Sequence, residues 1–170
     1  MKIVLAGAHG VGKTSFAKAL AKKLKLNYIH DIVREEAVLK GFTINENTPS
    51  IIQLWLLTRQ WELETITAED WIADKCLYDY LVYGEIVLKN DNLKQIIRKE
   101  VLANAHYDIV FYLPIEFPME SDGIRSNDEN FRIKIDDQYK NFLKKQRIQY
   151  STLTGSIKER VQQALKSLKH

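Results

Sequence analysis

The eight residues at positions 7–14, Gly-Ala-His-Gly-Val-Gly-Lys-Thr, constrain the fold of this 170-residue chain more than any other segment. Two glycines separated by four residues and followed by Lys-Thr make the phosphate-loop pattern. An apolar run at residues 3–6 precedes the loop and is typical of a buried parallel strand. Phe16, Leu20 and Leu24 follow it at helical spacing among lysines. The sequence therefore predicts a strand, a glycine-rich turn and a helix in immediate succession.

This arrangement is suited to binding a polyphosphate, because loop N–H groups and the positive end of the helix dipole converge on one point. Lys13 can reach the β- and γ-phosphates, and the Thr14 hydroxyl can ligate Mg²⁺. A chance match to the four fixed positions is expected in on the order of one chain in a hundred of this length. We expect nucleotide contacts from Gly7, His9, Gly10, Val11, Gly12, Lys13, Thr14 and Ser15.

His9 occupies a variable position of the loop. We expect its side chain to be partly exposed rather than catalytic.

Composition limits the remaining possibilities. A chain of this length with 45% hydrophobic residues suits one domain (residues 1–170) with one core. The single cysteine, Cys76, excludes an intramolecular disulfide or a thiolate metal cluster. No signal-peptide or membrane-spanning run is present, and the net charge of +3 comes from lysines interspersed with glutamates. We expect a cytoplasmic protein without nucleic-acid or membrane partners, and the sequence leaves a homodimer open.

Apolar runs alternate with amphipathic segments along the whole chain. This alternation predicts an α/β fold, with a parallel sheet covered on both faces by helices. Strands are predicted at residues 3–6, 26–30, 71–74, 108–113 and 148–153. Helices are predicted at residues 14–24, 31–39, 48–68, 77–88 and 93–104, from a candidate capping box at 126–129 to about 145, and from 156 onward. Ligands bind at the carboxyl ends of such strands. The phosphate loop, Asp31, Asp74, Pro114 and Gly155 should therefore share one rim.

Asp74 ends the third predicted strand, and Lys75 follows it directly. Phosphate-loop proteins pair their Lys-Thr with an aspartate on a neighbouring strand, so Asp74 is the candidate carboxylate for Mg²⁺. The alternative is an N-cap of the next helix. Lys75 either contacts the substrate phosphates or points to solvent.

Asp31 follows the second predicted strand. Its carboxylate could accept the proton of an acceptor hydroxyl or hold a ribose, and the alternative is again an N-cap. Arg34, one turn later, could bind the phosphate or base of the acceptor.

One stripe of the long helix carries Gln53, Leu57, Gln60 and Glu64. The glutamine amides could pair with base edges in a substrate pocket, or the stripe could face solvent. We favour solvent for Gln53 and the pocket for Gln60.

The segment at about residues 115–132 is long and interrupted by Pro118 and Gly123. Long loops in compact domains are often lids over active sites. Arg125 and Arg132 on such a lid could close over the transferring phosphoryl group, while ordinary surface arginines are the alternative.

The chain resembles a family of small phosphate-loop kinases and ATPases. The family includes the ribosylnicotinamide kinase domain of the bacterial NAD-biosynthesis regulator and is related to deoxynucleoside and thymidylate kinases. The matching segments are residues 7–15, 28–35, 107–111, 122–125 (Asp-Gly-Ile-Arg) and 155–160, with Asp74-Lys75, Asp79 and Tyr83.

The resemblance implies a three-layer fold with a five-stranded parallel sheet of order 2-3-1-4-5 and a lid. It also implies ATP as donor, Mg²⁺, and a nucleoside, nucleotide or ribosyl compound as acceptor. Asp31 would lie at the acceptor hydroxyl, Arg125 on the lid, and Gly155 and Ser156 near the adenine.

Two positions depart from the family pattern. Relatives usually carry Glu where Asp31 stands, and related kinases often carry Arg where Lys75 stands. Arg binds phosphate with a two-pronged fork and Lys does not, so both departures leave the acceptor open.

Two other classes of protein share the phosphate loop. A regulatory GTPase usually has an Asn-Lys-x-Asp segment after a strand, whereas residues 108–113 lead into Pro-Ile-Glu. A module that binds and slowly hydrolyses ATP, without a small-molecule acceptor, stays open.

Overall fold

The computed structural model describes residues 1–42, 44, 47–68, 70–118 and 128–168, with the side chains of residues 32–34 left aside. Five parallel strands form one sheet in the order β2-β3-β1-β4-β5, with helices on both sides. The strands are β1 Lys2–Ala6, β2 Asn27–Ile29, β3 Trp71–Ala73, β4 Ile109–Tyr112 and β5 Ser151–Thr152. The helices are α1 Lys13–Leu24, α2 Ile32–Leu39, α3 Ser50–Ile66, α4 Leu77–Val87, α5 Asp91–Asn104, α6 Glu129–Lys145 and α7 Ile157–Ser167. The predicted α/β fold and strand order are confirmed.

The central strand β1 places the phosphate loop at the middle of the sheet. Ile3 pairs with Ile72 of β3 on one side and with Ile109 of β4 on the other. Residues 3–6 are almost fully buried, as expected for a strand covered by helices on both faces. The loop that follows β1 therefore begins at the centre of the sheet, from a strand that is paired on both sides and buried on both faces.

Gly7 leaves β1 with a φ of 137°, a region that residues with a side chain rarely adopt. A Cβ at this position would lie 2.4 Å from the carbonyl oxygen of Leu113. The chain after β4 thus passes directly against the start of the phosphate loop. Only glycine permits this approach.

No helix in the described ranges has both the length and the apolar character needed to cross a membrane. The cytoplasmic location stays a prediction.

Helix α3 turns its polar stripe inward. Gln53, Leu57, Gln60 and Glu64 are all buried, while Ile51 and Ile66 of the same helix are exposed. The solvent-facing position expected for Gln53 is therefore wrong. The turn between β3 and α4 supplies backbone partners for Gln60 and Glu64, which explains why this stripe faces inward, and Gln53 lies on the same stripe.

Glu64 is the main acceptor in this buried contact. Its carboxylate accepts hydrogen bonds from Gln60 Nε2 at 3.0 Å, from the Leu77 N–H at 3.1 Å and from the Tyr107 hydroxyl at 2.7 Å. Burial raises the pKa of Glu64 to about 7, although these hydrogen bonds oppose the shift. The group therefore titrates in the physiological range.

Gly7→Ala should lower the free energy of unfolding by about 2–4 kcal/mol, because it adds a backbone clash to an unfavourable φ. Gly41→Ala is the matched control: Gly41 has a φ of 72°, but its Cβ would meet no atom of the described residues within 4 Å. It should cost only about 1 kcal/mol. Urea unfolding measures both losses, and equal losses would contradict the role given to Leu113.

Glu64→Gln should change how stability depends on pH. The folded state holds a proton on Glu64 that the unfolded chain has lost, so wild-type stability falls as pH rises from about 4.5 to about 7 and then levels off. The difference between wild type and Glu64→Gln should change by about 3 kcal/mol across this window.

Tyr107→Phe supplies a second variant for the same measurement. It removes a hydrogen bond that lowers the pKa of Glu64, so the upper end of the window should move above pH 7. Denaturant unfolding from pH 5 to 8 tests both variants. Parallel wild-type and Glu64→Gln profiles would contradict the assignment.

Candidate functional site

The phosphate loop between β1 and α1 is built on left-handed backbone. Gly10 and Gly12 have φ values of 70° and 87°, and Gly12 directly precedes the first residue of α1. Glycine adopts this region without steric cost, so the loop can fold tightly around its own N–H groups. The helix N-terminus is thereby aimed at the space in front of the loop.

Lys13 folds back along the loop. Its side chain is buried, and Nζ donates to the carbonyl oxygens of Gly7 at 2.5 Å and Ala8 at 2.8 Å. The ammonium group is therefore held at the mouth of the loop, where a charge-assisted hydrogen bond to a phosphate oxygen is expected to be strongest.

A cavity of about 370 Å³ opens in front of the loop. It is lined by Gly10, Gly12, Lys13, Thr14, Ser15, Asp74, Lys75, Phe117 and Pro118. The structure thus brings five of the eight predicted contact residues of the loop together with both predicted metal residues, Thr14 and Asp74. Gly7, His9 and Val11 are not part of this lining.

Asp74 lies directly after β3 and is 2% exposed. Burial and the nearby charge of Asp31 raise its pKa, while the Thr14 hydroxyl, Lys13 and Lys75 oppose the shift. Within the described ranges, its buried Oδ1 has no hydrogen-bond partner. An orphaned carboxylate oxygen beside a threonine hydroxyl fits a hydrated Mg²⁺.

The rest of the described chain is consistent with such a metal. It holds no group of three or more His, Cys, Asp or Glu side chains that could bind an ion by themselves. Mg²⁺ bound to substrate phosphates and one or two protein oxygens needs no such cluster.

Lys75 lines the cavity but is held by neighbouring groups. Its Nζ lies 3.2 Å from a carboxylate oxygen of Asp79 and 4.6 Å from the centre of the Tyr83 ring. The expected alternative of a solvent-facing side chain is therefore wrong. A contact with the substrate stays a prediction.

Asp31 lies near Asp74, at the same rim of the sheet. Asp31 is 8% exposed. Burial of Asp74 and Tyr80 is the largest cause that raises the pKa of each, and the negative charge of Asp31 is the second largest. The Tyr28 hydroxyl donates to Asp74 Oδ2 at 3.3 Å. Two carboxylates, Asp31 and Asp74, therefore lie close together next to the phosphate loop.

Several predicted site groups fall outside the described part of the chain. They are the Arg34 side chain and residues 119–127 of the expected lid, which include Arg125. The structure describes the remaining lid residues, 115–118 and 128–132. Their roles stay predictions.

Gln60 is fully buried behind the cavity. Its amide nitrogen donates to Glu64 and, at 2.9 Å, to the carbonyl oxygen of Lys75, which fixes the turn that follows β3. Its own carbonyl oxygen has no partner among the described residues. Gln60 is not among the residues that line the cavity in front of the loop, and its predicted pocket role stays a prediction.

His9 is 4% exposed, so the expectation of a partly exposed side chain is wrong. Its Nδ1 lies 3.1 Å from the Tyr83 hydroxyl, and its ring lies 6.1 Å from that of Phe131. Aromatic residues from α4 and α6 cover this position of the loop, and nothing in the local sequence indicates their approach.

Arg132 differs from its expected position over the phosphoryl group. It is fully buried and donates from Nε to the His9 carbonyl at 3.1 Å and from Nη2 to the Gly10 carbonyl at 3.3 Å. Its Nη1 bonds the Phe117 carbonyl at 3.0 Å and the Glu129 carboxylate. A buried guanidinium needs several acceptors, and the back of the phosphate loop provides them. In this arrangement Arg132 supports the loop.

Gly155 and Ser156 form the turn before α7. Gly155 has a φ of 84°, and its N–H donates to the Glu116 carboxylate at 3.0 and 3.1 Å. Ser156 caps α7 in the predicted capping box with Glu159. The proximity of this turn to an adenine stays a prediction.

Two charged residues near the loop were not predicted as site residues. Arg160, on α7, is fully buried and donates to the Val11 carbonyl at 2.6 Å and to Glu116 at 2.6 Å. Arg160 does belong to the last segment of the family resemblance. No local sequence pattern indicates a role for Glu116, because its partners, Gly155 and Arg160, are distant in sequence.

Solved structures with the same fold include several kinases. The deoxyadenosine kinase from M. mycoides, solved with dCMP and a flexible dCDP, is 18% identical with a TM-score of 0.75, covering 99% of this chain and 98% of its own. Thymidylate kinase from Candida albicans is 16% identical with a TM-score of 0.69, covering 99% and 90%.

The NadR protein in complex with NR is 16% identical with a TM-score of 0.80. The match covers 98% of this chain, which spans half of the NadR chain. At these identities the likeness shows the fold alone, which is that of the phosphate-loop kinases. No curated protein matches the sequence.

The family comparison covers nearly the whole chain. The model of the family AAA_28, described as an AAA domain, matches residues 2–160. This range includes the phosphate loop, Asp31, Asp74 and Arg160, and it agrees with the resemblance found in the sequence. The chain belongs to the AAA_28 family.

Proposed function

We propose that this protein is an ATP- and Mg²⁺-dependent kinase that transfers the γ-phosphoryl group to a hydroxyl of a small nucleoside-type acceptor. The observation that carries the proposal is the position of Asp31. This buried carboxylate lies near Asp74, which lines the cavity in front of the loop, and we therefore assign Asp31 as the proton acceptor next to the phosphate-binding site.

Each residue has a defined part in the transfer. Loop N–H groups and Lys13 hold the β- and γ-phosphates, and Asp31 accepts the proton of the attacking hydroxyl. The acceptor oxygen forms a bond to the γ-phosphorus while the bond to the β-phosphate oxygen breaks and ADP leaves with its electron pair. When bound, Mg²⁺ held by Thr14 and Asp74 neutralises charge on the phosphates.

The charge of this rim favours a nucleoside over a nucleotide as acceptor. A monophosphate would add negative charge beside Asp31 and Asp74, while Lys75 is already engaged by Asp79 and Tyr83. Deoxyadenosine kinase and NadR in complex with NR support a nucleoside-type acceptor by analogy, whereas thymidylate kinase of the same fold is named for a nucleotide.

A panel of acceptors with Mg²⁺-ATP tests the proposal directly. Nucleosides, nucleoside monophosphates and ribosylnicotinamide are incubated with the enzyme, and phosphorylated product and ADP are both measured. At least one nucleoside-type compound should raise ADP production about tenfold or more above the rate with water alone and yield stoichiometric product.

The panel also identifies the competing function. If no acceptor raises turnover above the rate with water, the kinase proposal fails and a slow ATPase module is the better description. If monophosphates are preferred to nucleosides, the charge argument at the rim is wrong.

Lys13→Ala and Asp31→Asn should separate the two halves of the site. Lys13→Ala should weaken ATP binding about 100-fold, because it removes a charge from the phosphate loop. Asp31→Asn keeps the side-chain volume and should lower kcat by about 10²–10⁴-fold while ATP affinity stays within about twofold. Calorimetric titration and steady-state kinetics give both quantities. A loss of ATP affinity in Asp31→Asn would show that its role is misassigned.

A further inference from the structure

The phosphate loop has a second set of polar groups on the face away from the cavity. Three successive carbonyl oxygens, those of His9, Gly10 and Val11, accept hydrogen bonds from two arginines. Arg132 comes from α6 and Arg160 from α7, and both are 0% exposed. The back of the loop is therefore held by two buried guanidinium groups.

This contact determines where the loop N–H groups point. In a trans peptide the carbonyl of one residue and the N–H of the next point in opposite directions, and the described chain has no cis peptide bond. Carbonyls turned back toward the arginines therefore direct the N–H groups of Gly10, Val11 and Gly12 forward. Gly10 and Gly12 both line the cavity.

Arg160 makes the shorter contacts of the two arginines. It bridges the Val11 carbonyl and the Glu116 carboxylate, each at 2.6 Å, and its guanidinium lies 5.3 Å from the centre of the Phe117 ring. A Cβ at Gly12 would lie 3.2 Å from Nη1. The planar guanidinium of Arg160 thus donates to two acceptors at once, the Val11 carbonyl and the Glu116 carboxylate, near the start of α1. A lysine ammonium cannot reproduce this two-pronged geometry.

Glu116 extends this contact to a third segment. Its carboxylate also accepts the Gly155 N–H, so the segment after β4 and the turn before α7 are joined through one ion pair. The pair is neutral overall, because the charge of Arg160 is matched by that of Glu116. Its effect on the loop is therefore orientation rather than added positive charge.

We propose that Arg160 is a positioning residue for the donor phosphates: by holding the Val11 carbonyl, it orients the loop N–H groups that bind the polyphosphate. The proposal rests on the proposed function only in that a donor polyphosphate binds this loop. Arg160 is fully buried and is not among the residues that line the cavity, so its contribution should appear in phosphate affinity and not in the choice of acceptor.

Arg160→Lys tests this role with two probes, ATP and inorganic triphosphate. Both should bind about tenfold more weakly, and by the same factor, because the loop and not the nucleoside is affected. Arg98→Lys is the matched control: Arg98 pairs with Glu85 between α5 and α4, at 2.7 Å, and does not touch the loop. Its affinities should stay within about twofold of wild type. Calorimetry is run below the melting temperature of every variant.

Glu116→Gln adds a second variant in case Arg160→Lys folds poorly. It keeps an acceptor oxygen for Arg160 but leaves the guanidinium charge unmatched. If orientation governs binding, triphosphate affinity should stay the same or weaken. A rise of about tenfold would indicate that net charge governs binding and would overturn the proposal.

The remaining outcomes are also decisive. Unchanged triphosphate affinity in folded Arg160→Lys would show a structural role only. A loss for ATP without a loss for triphosphate would place the effect on the nucleoside side, and either result overturns the proposal. If the wild type binds neither probe, the proposed function fails as well, which distinguishes the two failures.

Discussion

The backbone of the phosphate loop must satisfy polar groups on both of its faces, and the rest of the structure is arranged around this requirement. One face presents N–H groups to the cavity, where a ligand supplies the acceptors. The other face is buried, where unpaired carbonyls would be costly. Arg132 and Arg160 supply the donors on that side. They also donate to Glu129, Glu116 and the backbone of Phe117, while the Nε of Arg160 has no partner among the described residues. The phosphate loop is thus held by α6 and α7, two helices that are distant from it in sequence.

The acceptor side is governed by a different constraint, which is the proximity of two buried carboxylates. The parallel sheet brings Asp31 and Asp74 to one rim because each follows the carboxyl end of a neighbouring strand. Burial and mutual repulsion raise the pKa of Asp74, so a cation near its free oxygen would relieve an unfavourable charge. In the proposed reaction, metal binding at Asp74 and placement of a hydroxyl acceptor at Asp31 would therefore reinforce one another.

Local patterns in the sequence predicted the parts of the fold that depend on neighbouring residues. The strand before the loop, the position of Asp74 after β3 and the capping box at Ser156 all follow from spacing and residue type. The inward polar stripe of α3 did not, because periodicity identifies a polar face without saying what it packs against. His9 was misjudged for a related reason: its cover comes from Tyr83 and Phe131, which are distant in sequence. Long-range ion pairs such as Arg160 with Glu116 leave no local signal.

The hydrogen bond between Arg160 and Val11 joins residues separated by 149 positions. During synthesis the loop emerges from the ribosome long before α7. Until α7 emerges, the nascent chain carries its phosphate-loop motif without the hydrogen bond from Arg160. Contacts of such long sequence separation also form late in folding, since they close the largest loops. The segment that is easiest to recognise in the sequence therefore acquires its final conformation only after α7 has joined the fold, and phosphate binding by the loop would report that this late contact has formed.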